Sequence, residues 1–380
     1  MLRTAITAAL AMSSVTAALA SLWESPDWAV VGTMSASAGY DSNLTLVRDG
    51  PSAYLFVANP YLTLTRRNSD TDFEVSGGVT ETDFADSSLP LETDIALNAL
   101  YAYPTGNNVI PIYKLSTSWV RSSQPNEFLG QRILNDVFTV SGEGYLTLTG
   151  KLGIRANGEF QSATFDSESL NDSDRGQVFA GLAYEKGPET QVSVNLGTAI
   201  GRSIPNDPAR SVSNVRSTEY YVTARVEGQI TDKVSGSAYG GFGEVSYNGG
   251  YSSRNSLPVA GADLTWGIDP RRTLVLAAYS GADYAPDGQA IETTRAFLSF
   301  THVIIARWQY ILRAGPTYTV FSRQTRQRTD TVLDCGAEFA YQPSDRFRVY
   351  VGVSYTSHDS TSYAYQFQHE IVSLGSSYRF

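Results

Sequence analysis

The chain has 380 residues, of which 42% are hydrophobic and 17% charged, and its formal net charge at pH 7 is −10. This balance argues against nucleic acid as a partner, because no basic patch dominates. One cysteine, Cys335, excludes a disulfide framework. It lies in a strand-like run and is interpreted as a small apolar residue. After Ala20, the sequence contains no run of about 18 uncharged apolar residues, which is the length that a membrane-spanning helix needs.

The first twenty residues have the pattern of an export signal. A basic Arg3 precedes the apolar, small-residue stretch 4–18, and the tripeptide that ends at Ala20 fits the small-x-small pattern of signal-peptidase sites. The stretch is too short and too rich in Ala and Ser to serve as a stable anchor. We predict cleavage after Ala20, which leaves a periplasmic N-terminal segment, 21–27, and a second region, 28–380.

From residue 28 onward, apolar and polar residues alternate with a period of two, which places successive side chains on opposite faces of a strand. Clear examples are 152–161, 220–230 and 347–356. Strands of globular proteins average about five or six residues, whereas a tilted strand needs about nine to eleven to cross a bilayer. The alternating segments here are about ten to fourteen residues long. Their length therefore favours a membrane barrel over a soluble sandwich.

The predicted fold class is all-β: a transmembrane, antiparallel, up-and-down β-barrel of about 18 strands over 28–380. The apolar face of such a barrel meets lipid, and the polar face lines the interior. The predicted strands are 28–40, 53–66, 72–84, 93–104, 109–122, 134–149, 151–165, 176–186, 190–202, 218–231, 233–247, 257–268, 272–284, 292–305, 308–322, 330–342, 346–358 and 367–380.

Short and long connections alternate along the chain. Short turns are predicted at 67–70, 104–107, 150, 187–188, 232, 269–271 and 343–345, and longer polar loops at 41–52, 85–92, 123–133, 166–175, 203–217, 248–256, 285–291 and 323–329. Short periplasmic turns alternating with longer outside loops are typical of bacterial outer-membrane barrels. An even number of strands puts both chain ends on the periplasmic side.

The last predicted strand ends on an aromatic residue. Phe380, Tyr378, Leu374 and Val372 share one face of it. Outer-membrane barrels characteristically close on a terminal Phe, so Tyr378 and Phe380 are predicted to form the assembly signal read by the barrel-assembly machinery. Other aromatic residues fall near strand ends, which suits girdles at the two membrane interfaces.

Eleven ionisable residues on the polar face are predicted to line the pore, because a basic side chain facing lipid would cost about 2–4 kcal/mol at the bilayer midplane. Both signs of charge occur, which fits either a wetted pore or paired charges that plug it. The predicted pore-lining residues are Lys114, Glu143, Arg155, Glu159, Arg225, Glu227, Asp263, Arg313, Asp334, Glu338 and Arg348.

Catalytic chemistry finds little support in the sequence. Ser357, His358 and Asp359 are neighbours on one predicted strand and point to alternating faces, so they cannot form a triad by themselves. No residues show the spacing of a metal site, and no cofactor is expected. The acidic segment 166–174 is predicted to be a solvated surface loop. A divalent-cation site there is the less favoured alternative, because the segment lacks the spacing of a calcium loop.

The segment from Gly39 to Asn43, Gly-Tyr-Asp-Ser-Asn, ends the first predicted strand. It resembles the putative β-barrel porin 2 family, and the resemblance would extend over 28–380. It implies an outer-membrane barrel without catalytic residues. Members of that family are often associated with exopolysaccharide synthesis and secretion loci, so the resemblance also implies polysaccharide as a partner.

The leading hypothesis is a porin-like, passive conduit for hydrophilic solutes, with exopolysaccharide export as one form of it. A general diffusion porin for small nutrients is the alternative. A non-conducting scaffold or adhesion barrel comes next, and an outer-membrane hydrolase is the least favoured. Residues 21–27 leave no room for the plug of a TonB-dependent transporter. The expected partners are outer-membrane lipid, lipopolysaccharide and the barrel-assembly machinery, and the expected location is the bacterial outer membrane.

Overall fold

The barrel is a closed ring of antiparallel strands. The computed structural model describes residues 23–25, 27–68, 70–85, 89–103, 112–126, 131–187, 190–207, 215–248, 253–285, 290–305, 307–321 and 328–380. Within these ranges, eighteen strands, β2 to β19, pair in chain order, and the ring is continuous because β19 also pairs with β2. The predicted signal segment lies outside the described residues.

The strands have the following bounds. A two-residue strand, β1 (Trp23–Glu24), pairs with the start of β2. The ring consists of β2 (Trp28–Asp41), β3 (Ala53–Arg67), β4 (Asp72–Phe84), β5 (Glu92–Tyr103), β6 (Tyr113–Asn126), β7 (Gln131–Thr149), β8 (Leu152–Phe165), β9 (Asn171–Gly187), β10 (Thr190–Pro205), β11 (Val215–Thr231), β12 (Val234–Asn248), β13 (Ser253–Asp269), β14 (Arg272–Tyr284), β15 (Ala290–Ile305), β16 (Trp308–Phe321), β17 (Arg328–Ser344), β18 (Phe347–Ser360) and β19 (Phe367–Arg379).

The all-β class and the count of about 18 strands are confirmed. Among the described residues, a single 3-10 turn at Tyr363–Tyr365 interrupts the β-structure, and no helix in them is long and apolar enough to cross a membrane. The predicted turn at 104–107 lies outside the described residues.

Both ends of the ring lie at one rim, because Arg379 at the end of β19 pairs with Thr33 near the start of β2. We call this the terminal rim and the opposite one the distal rim. Most connections at the terminal rim span two residues, such as 150–151 and 232–233. Those at the distal rim are longer, up to 42–52 between β2 and β3.

Several strands run further toward the distal rim than the sequence predicts. The prediction of a surface loop over 166–174 is wrong in its second half, because β9 begins at Asn171. Asp174 accepts a hydrogen bond from Ser162 on β8 (2.6 Å) and forms an ion pair with Arg202 on β10. Cross-strand pairs of this kind stabilise a sheet and here outweigh the low strand propensity of Asp.

The two faces of the sheet are chemically opposite. One face exposes large apolar side chains, among them Leu196 (65% exposed) and Phe242 (72%). The other face carries ion pairs between strands that are not neighbours, such as Arg175 on β9 with Glu219 on β11. Such pairs can form only across the interior, so the polar face is the inward one. An apolar exterior around a polar interior is the arrangement of a barrel in a bilayer.

The outward face carries aromatic pairs near its rims. At the terminal rim, the Tyr101 and Tyr113 rings stack 6.0 Å apart and the Trp308 and Tyr341 rings lie 4.4 Å apart. Rings in these positions suit the interfaces of a bilayer. The free Cys335 is also outward and exposed, opposite Tyr355 on the neighbouring strand.

Candidate functional site in the barrel lumen

The register places all eleven residues predicted to line the pore on the inward face. Whether they line a conducting pore stays a prediction. They are Lys114, Glu143, Arg155, Glu159, Arg225, Glu227, Asp263, Arg313, Asp334, Glu338 and Arg348.

Four of these residues form one ion-paired group near the terminal rim. Arg155 of β8 donates to Glu143 Oε2 of β7 over 2.6 Å and forms an ion pair with Glu227 of β11. Arg225 Nε lies 2.9 Å from the other oxygen of Glu227. Arg155 is 5% exposed and also donates to Gln191 Oε1 of β10 over 3.3 Å. The two positive and two negative charges balance, so this group adds no net charge to the wall.

A second charged group lies on the opposite wall, nine strands around the ring. Arg348 of β18 forms a hydrogen-bonded ion pair with Glu338 of β17. Asp334 accepts a hydrogen bond of 2.6 Å from Thr356. Together with Arg313, the two acidic residues line a cavity of about 330 Å³. Eight of the predicted charges are therefore divided between two walls, while Lys114, Glu159 and Asp263 lie outside both groups.

At the distal ends of β9 to β14, one side chain that was not among the predicted site residues forms hydrogen bonds to several strands. Arg175 of β9 donates to Glu219 Oε2 over 2.7 Å and to the Tyr221 hydroxyl over 3.2 Å, both on β11. It also donates to the backbone oxygen of Ala282 on β14. One side chain thus bridges strands five places apart, which requires this arc of the wall to curl inward.

An apolar cluster fills the inside of that arc. Tyr247, Val245 and Leu257 are each at most 5% exposed, although they lie on the inward face. The full distal cluster is Ala199, Val215, Tyr221, Val245, Tyr247, Leu257, Val259 and Ala282. These apolar side chains pack against one another and occupy this sector of the inward face. A run of inward apolar residues on adjacent strands was the signal that could have revealed it.

The wall opens between two strands beside this cluster. β13 and β14 pair from Asp269 and Arg272 up to Ala260 and Ser280, and no pairing continues beyond that point although both backbones are described there. Residues 253–259 of β13 pair with β12 alone, and residues 281–284 of β14 pair with β15 alone. We call this gap the seam.

Below the distal cluster lies a polar cavity of about 320 Å³, which we call the chamber. Inward side chains of β8 to β12, β14 and β15 line it, and the predicted residues Arg155, Glu159 and Arg225 are among them. Tyr239 and Arg295 also line it and were not in the predicted set. The chamber therefore lies between the terminal-rim ion pairs and the distal cluster.

Inward aromatic rings lie flat against the wall because they cover glycines of the neighbouring strand. A Cβ on Gly261 would overlap the Tyr239 ring, and one on Gly375 would overlap the Tyr350 ring. Both tyrosines are half-buried, so one ring face rests on the sheet while the other faces the lumen. Glycine at these positions is required by the close approach of the ring.

A buried polar group closes the distal rim at β16 to β19. The Arg328 guanidinium lies between the rings of Phe321 (4.3 Å) and Tyr365 (3.6 Å). Its Nε donates to Asp330 Oδ1 over 2.9 Å, and His358 Nε2 lies 3.2 Å from the other oxygen of that carboxylate. His358 therefore faces Asp330 and not its sequence neighbours, and its surroundings are those of a packed structural group.

The connection 42–52 also folds over the distal rim. Leu44 is 1% exposed, and Arg132 of β7 donates to its backbone oxygen over 3.5 Å. The Gly-Tyr-Asp-Ser-Asn segment holds the start of this connection. Asp41 accepts from the backbone amide of Asn43 over 2.8 Å, and the Asn43 side chain donates to the backbone oxygen of Gln368 on β19 over 3.0 Å.

The acidic segment shows no arrangement for a cation. Asp172 accepts from the backbone amide of Phe165 over 2.9 Å, and Asp174 is engaged by Ser162 and Arg202. Across the described ranges, no group of three or more His, Cys, Asp and Glu residues could hold a metal ion.

Comparison with known proteins agrees with this geometry. The family model described as putative beta-barrel porin 2 matches residues 26–380. The chain belongs to this family. The resemblance expected from the Gly39 to Asn43 segment is thereby confirmed, and this member of the porin 2 family is a bacterial outer-membrane barrel. No curated protein matches it at a significant level.

Several solved outer-membrane barrels are similar to this chain at low sequence identity. OpdK of Pseudomonas aeruginosa, solved with vanillate, is 10% identical, with a TM-score of 0.44 over 92% of this chain and 98% of that one. The siderophore receptor PirA of the same species is 8% identical, with a TM-score of 0.40 over 92% and 80%. The FrpB iron transporter of Neisseria meningitidis is 9% identical, with a TM-score of 0.39 over 94% and 82%.

Proposed function

We propose that the protein is a passive outer-membrane channel for hydrophilic solutes, with the terminal rim in the periplasm and the distal rim at the cell surface. The observation that carries this proposal is the inward face of the eighteen-strand ring. It bears charged, amide and hydroxyl side chains along β4 to β19, and two cavities open along it, one of them mainly polar. Barrels of 16–18 strands are wide enough to leave an aqueous channel.

Export of an extracellular polysaccharide is the form of this function that we favour. The support is the family membership together with inward amides and hydroxyls, such as Asn157, Gln161 and Thr223, which suit sugar hydroxyl groups. Uptake of small nutrients by general diffusion would use the same surface. Neighbouring glycosyltransferase and polymerase genes would favour export, and their absence would favour uptake.

A closed scaffold barrel is the second candidate, and a specific observation favours it. The distal cluster, the bridge made by Arg175 and the folded connection 42–52 all narrow the distal rim. A barrel sealed there would pass no solute in this conformation. Neither catalytic geometry nor a metal-binding group supports a hydrolase in the part of the chain that the structure describes.

Reconstitution in a planar bilayer tests the channel. Purified protein should give stepwise current increments if the lumen conducts. Silence at every applied voltage, from protein shown to be folded by its heat-modifiable migration on gels, would leave the scaffold barrel as the better account. Fractionation of cells and N-terminal sequencing test the expected location and the expected mature start at Ser21.

A further inference from the structure

The cavity on the wall of β15 to β19 has two bare glycines at its base. Gly336 of β17 and Gly352 of β18 are diagonal neighbours, because Ser354 lies directly opposite Gly336. Both glycines face inward and line this cavity of about 330 Å³. The volume falls within the range of small-molecule sites. We call these two residues the glycine floor.

Other inward glycines of this barrel are covered by aromatic rings. At six positions, an added Cβ would overlap a ring that the preceding strand supplies. The pairs are Gly78 with Tyr61, Gly153 with Tyr145, Gly197 with Phe179, Gly243 with Tyr221, Gly261 with Tyr239 and Gly375 with Tyr350. In this wall, an inward glycine therefore commonly serves as the surface on which a flat ring rests.

The chain itself does not require glycine in the floor. A Cβ on Gly336 would lie 3.5 Å from the backbone oxygen of Val353 and 3.9 Å from Arg313 Cβ, and no aromatic ring lies within 4 Å. Its φ is not positive either. A Cβ on Gly352 would approach only the Ser373 hydroxyl, at 3.1 Å. Glycine within a strand often marks the close approach of a ligand, so the floor is open to a ring from outside the chain.

Charged groups of both signs surround the floor. Arg313 is exposed, and no hydrogen bond or ion pair engages its guanidinium among the described residues. Asp334, its diagonal neighbour, accepts from Thr356 and keeps further acceptor positions on its carboxylate. Glu338 also lines the cavity, and its charge is neutralised by Arg348. The four charges sum to zero, so the site offers free donors and free acceptors without a net charge.

Apolar side chains also line the cavity, among them Phe297, Ile311 and Ile371. A matching ligand is uncharged, with apolar faces and an edge that both donates and accepts hydrogen bonds. A sugar ring has this distribution, because C–H groups form its faces and hydroxyls surround it. A plain aromatic ring lacks the hydroxyls. An acidic sugar would bring a carboxylate beside Asp334 and Glu338.

We infer that this cavity binds one residue of a neutral saccharide. The C–H face of the sugar lies on the glycine floor, one hydroxyl accepts from Arg313 and another donates to Asp334. Hydrogen bonds to charged groups are stronger than neutral ones, so these two fix the orientation of the sugar. The inference rests on the proposed function, because it names the class of solute that the channel would hold.

Saturation-transfer NMR on the folded, detergent-purified barrel tests the site, with maltotriose and trigalacturonate as neutral and acidic probes of equal length. Maltotriose should bind more tightly. Gly336→Val fills the space above the floor and should weaken maltotriose binding about tenfold or more. Gly240→Val is the matched control, because Gly240 faces outward with open space around it, and should leave binding unchanged.

The two charges have separate tests. Arg313→Met removes the donors and should weaken maltotriose binding about tenfold. Asp334→Asn leaves the positive charge of Arg313 unmatched, so it should reverse the preference in favour of trigalacturonate. A merely structural role of Asp334 would weaken both probes alike. If Gly336→Val gives no heat-modifiable barrel, Gly352→Ala tests the same floor.

The contrary outcomes are separable from failure of the channel. Unchanged maltotriose affinity in a folded Gly336→Val barrel would remove the site from this cavity. Tighter binding of trigalacturonate by the wild type, or binding of benzoate and of neither sugar, would overturn the neutral saccharide. A barrel that conducts in the bilayer assay but binds no probe would refute the site and leave the channel standing. A barrel that binds maltotriose but never conducts would do the reverse.

Discussion

The backbone amide of Phe380 donates a hydrogen bond of 2.8 Å to the backbone oxygen of Gly32. This bond joins the last residue of the chain to the first strand of the ring, at the terminal rim. The Phe380 ring also approaches Gly32, where an added Cβ would lie 3.1 Å from the ring edge, and it meets the Tyr378 ring edge-on at 5.0 Å. The terminal aromatic pair therefore covers the closing junction of the barrel.

Deletion of Phe380 should lower the fraction of protein that reaches the folded, heat-modifiable state in outer membranes, because β19 must close against β2 to leave no open edge in lipid. Phe380→Tyr keeps the ring and should assemble normally. Semi-native gels of membrane fractions report both. Wild-type insertion of the deletion variant would refute Phe380 as part of the assembly signal.

Reversal of an inward charge should change ion selectivity, because charges that line a narrow pore set its local potential. Arg313→Glu and Arg225→Glu are expected to shift the reversal potential toward cation preference in a salt gradient across a planar bilayer. Arg216 lies on the outward face of β11, so Arg216→Glu is the matched control and should have little effect. Equal shifts in all three variants would mean that the response is not specific to the lumen.

Removing the bridge at the distal rim should widen the channel. Arg175→Met combined with Glu219→Leu removes both members of the pair, which avoids leaving the 1% exposed Glu219 as an unpaired buried charge. We expect a larger single-channel conductance than that of the wild type. An unchanged conductance would show that the narrowest point lies elsewhere in the lumen.

The buried group around Arg328 should contribute strongly to stability. Arg328→Ala leaves Asp330 buried without its main partner and should destabilise the barrel by about 3–5 kcal/mol. Arg328→Met with Asp330→Asn should cost less, because no uncompensated charge remains. The temperature at which the folded gel band disappears measures both. A smaller loss in the single variant than in the double variant would contradict this account.

The connection 42–52 should depend on one buried leucine. Leu44→Ala removes a side chain that is 1% exposed and should cost about 2–5 kcal/mol of local stability. Faster protease cleavage within 42–52 on intact cells is the expected result. Leu91 is 59% exposed near the same rim, so Leu91→Ala serves as the control and should leave the cleavage rate unchanged.

The strands and their two faces were predictable, because the alternation of apolar and polar residues is a local feature of the sequence. A residue such as Arg348 is assigned to the inward face by its neighbours in sequence, and the register agrees. The curl of β9 to β14 could not be derived in this way. It depends on Arg175 meeting Glu219 and Ala282, which lie far from it in sequence, and Arg175 itself fell in a segment expected to be a loop.

The sequence likewise predicted which charged residues face inward, but it did not predict which of them form ion pairs with one another. Arg155 and Glu227 were both assigned to the pore, yet nothing local indicates that they meet across two intervening strands. Arg295 was passed over because its segment carries apolar residues on both faces. The contacts of Tyr239 with Gly261 and of Tyr350 with Gly375 could not be predicted, since a ring resting on a neighbouring strand leaves no signal within either strand alone.

The seam between β13 and β14 has a mechanical consequence. Along most of the wall each strand is held to both neighbours by hydrogen bonds that must break together, which makes the wall stiff. At the seam, residues 253–259 and 281–284 each have one such neighbour, and the distal cluster and Arg175 hold them in place from inside. Bending this part of the ring breaks no strand pairing. The backbone amides of these two segments should therefore lose their protection against hydrogen–deuterium exchange early. The barrel would then yield along this seam, as a cylinder does along a slit.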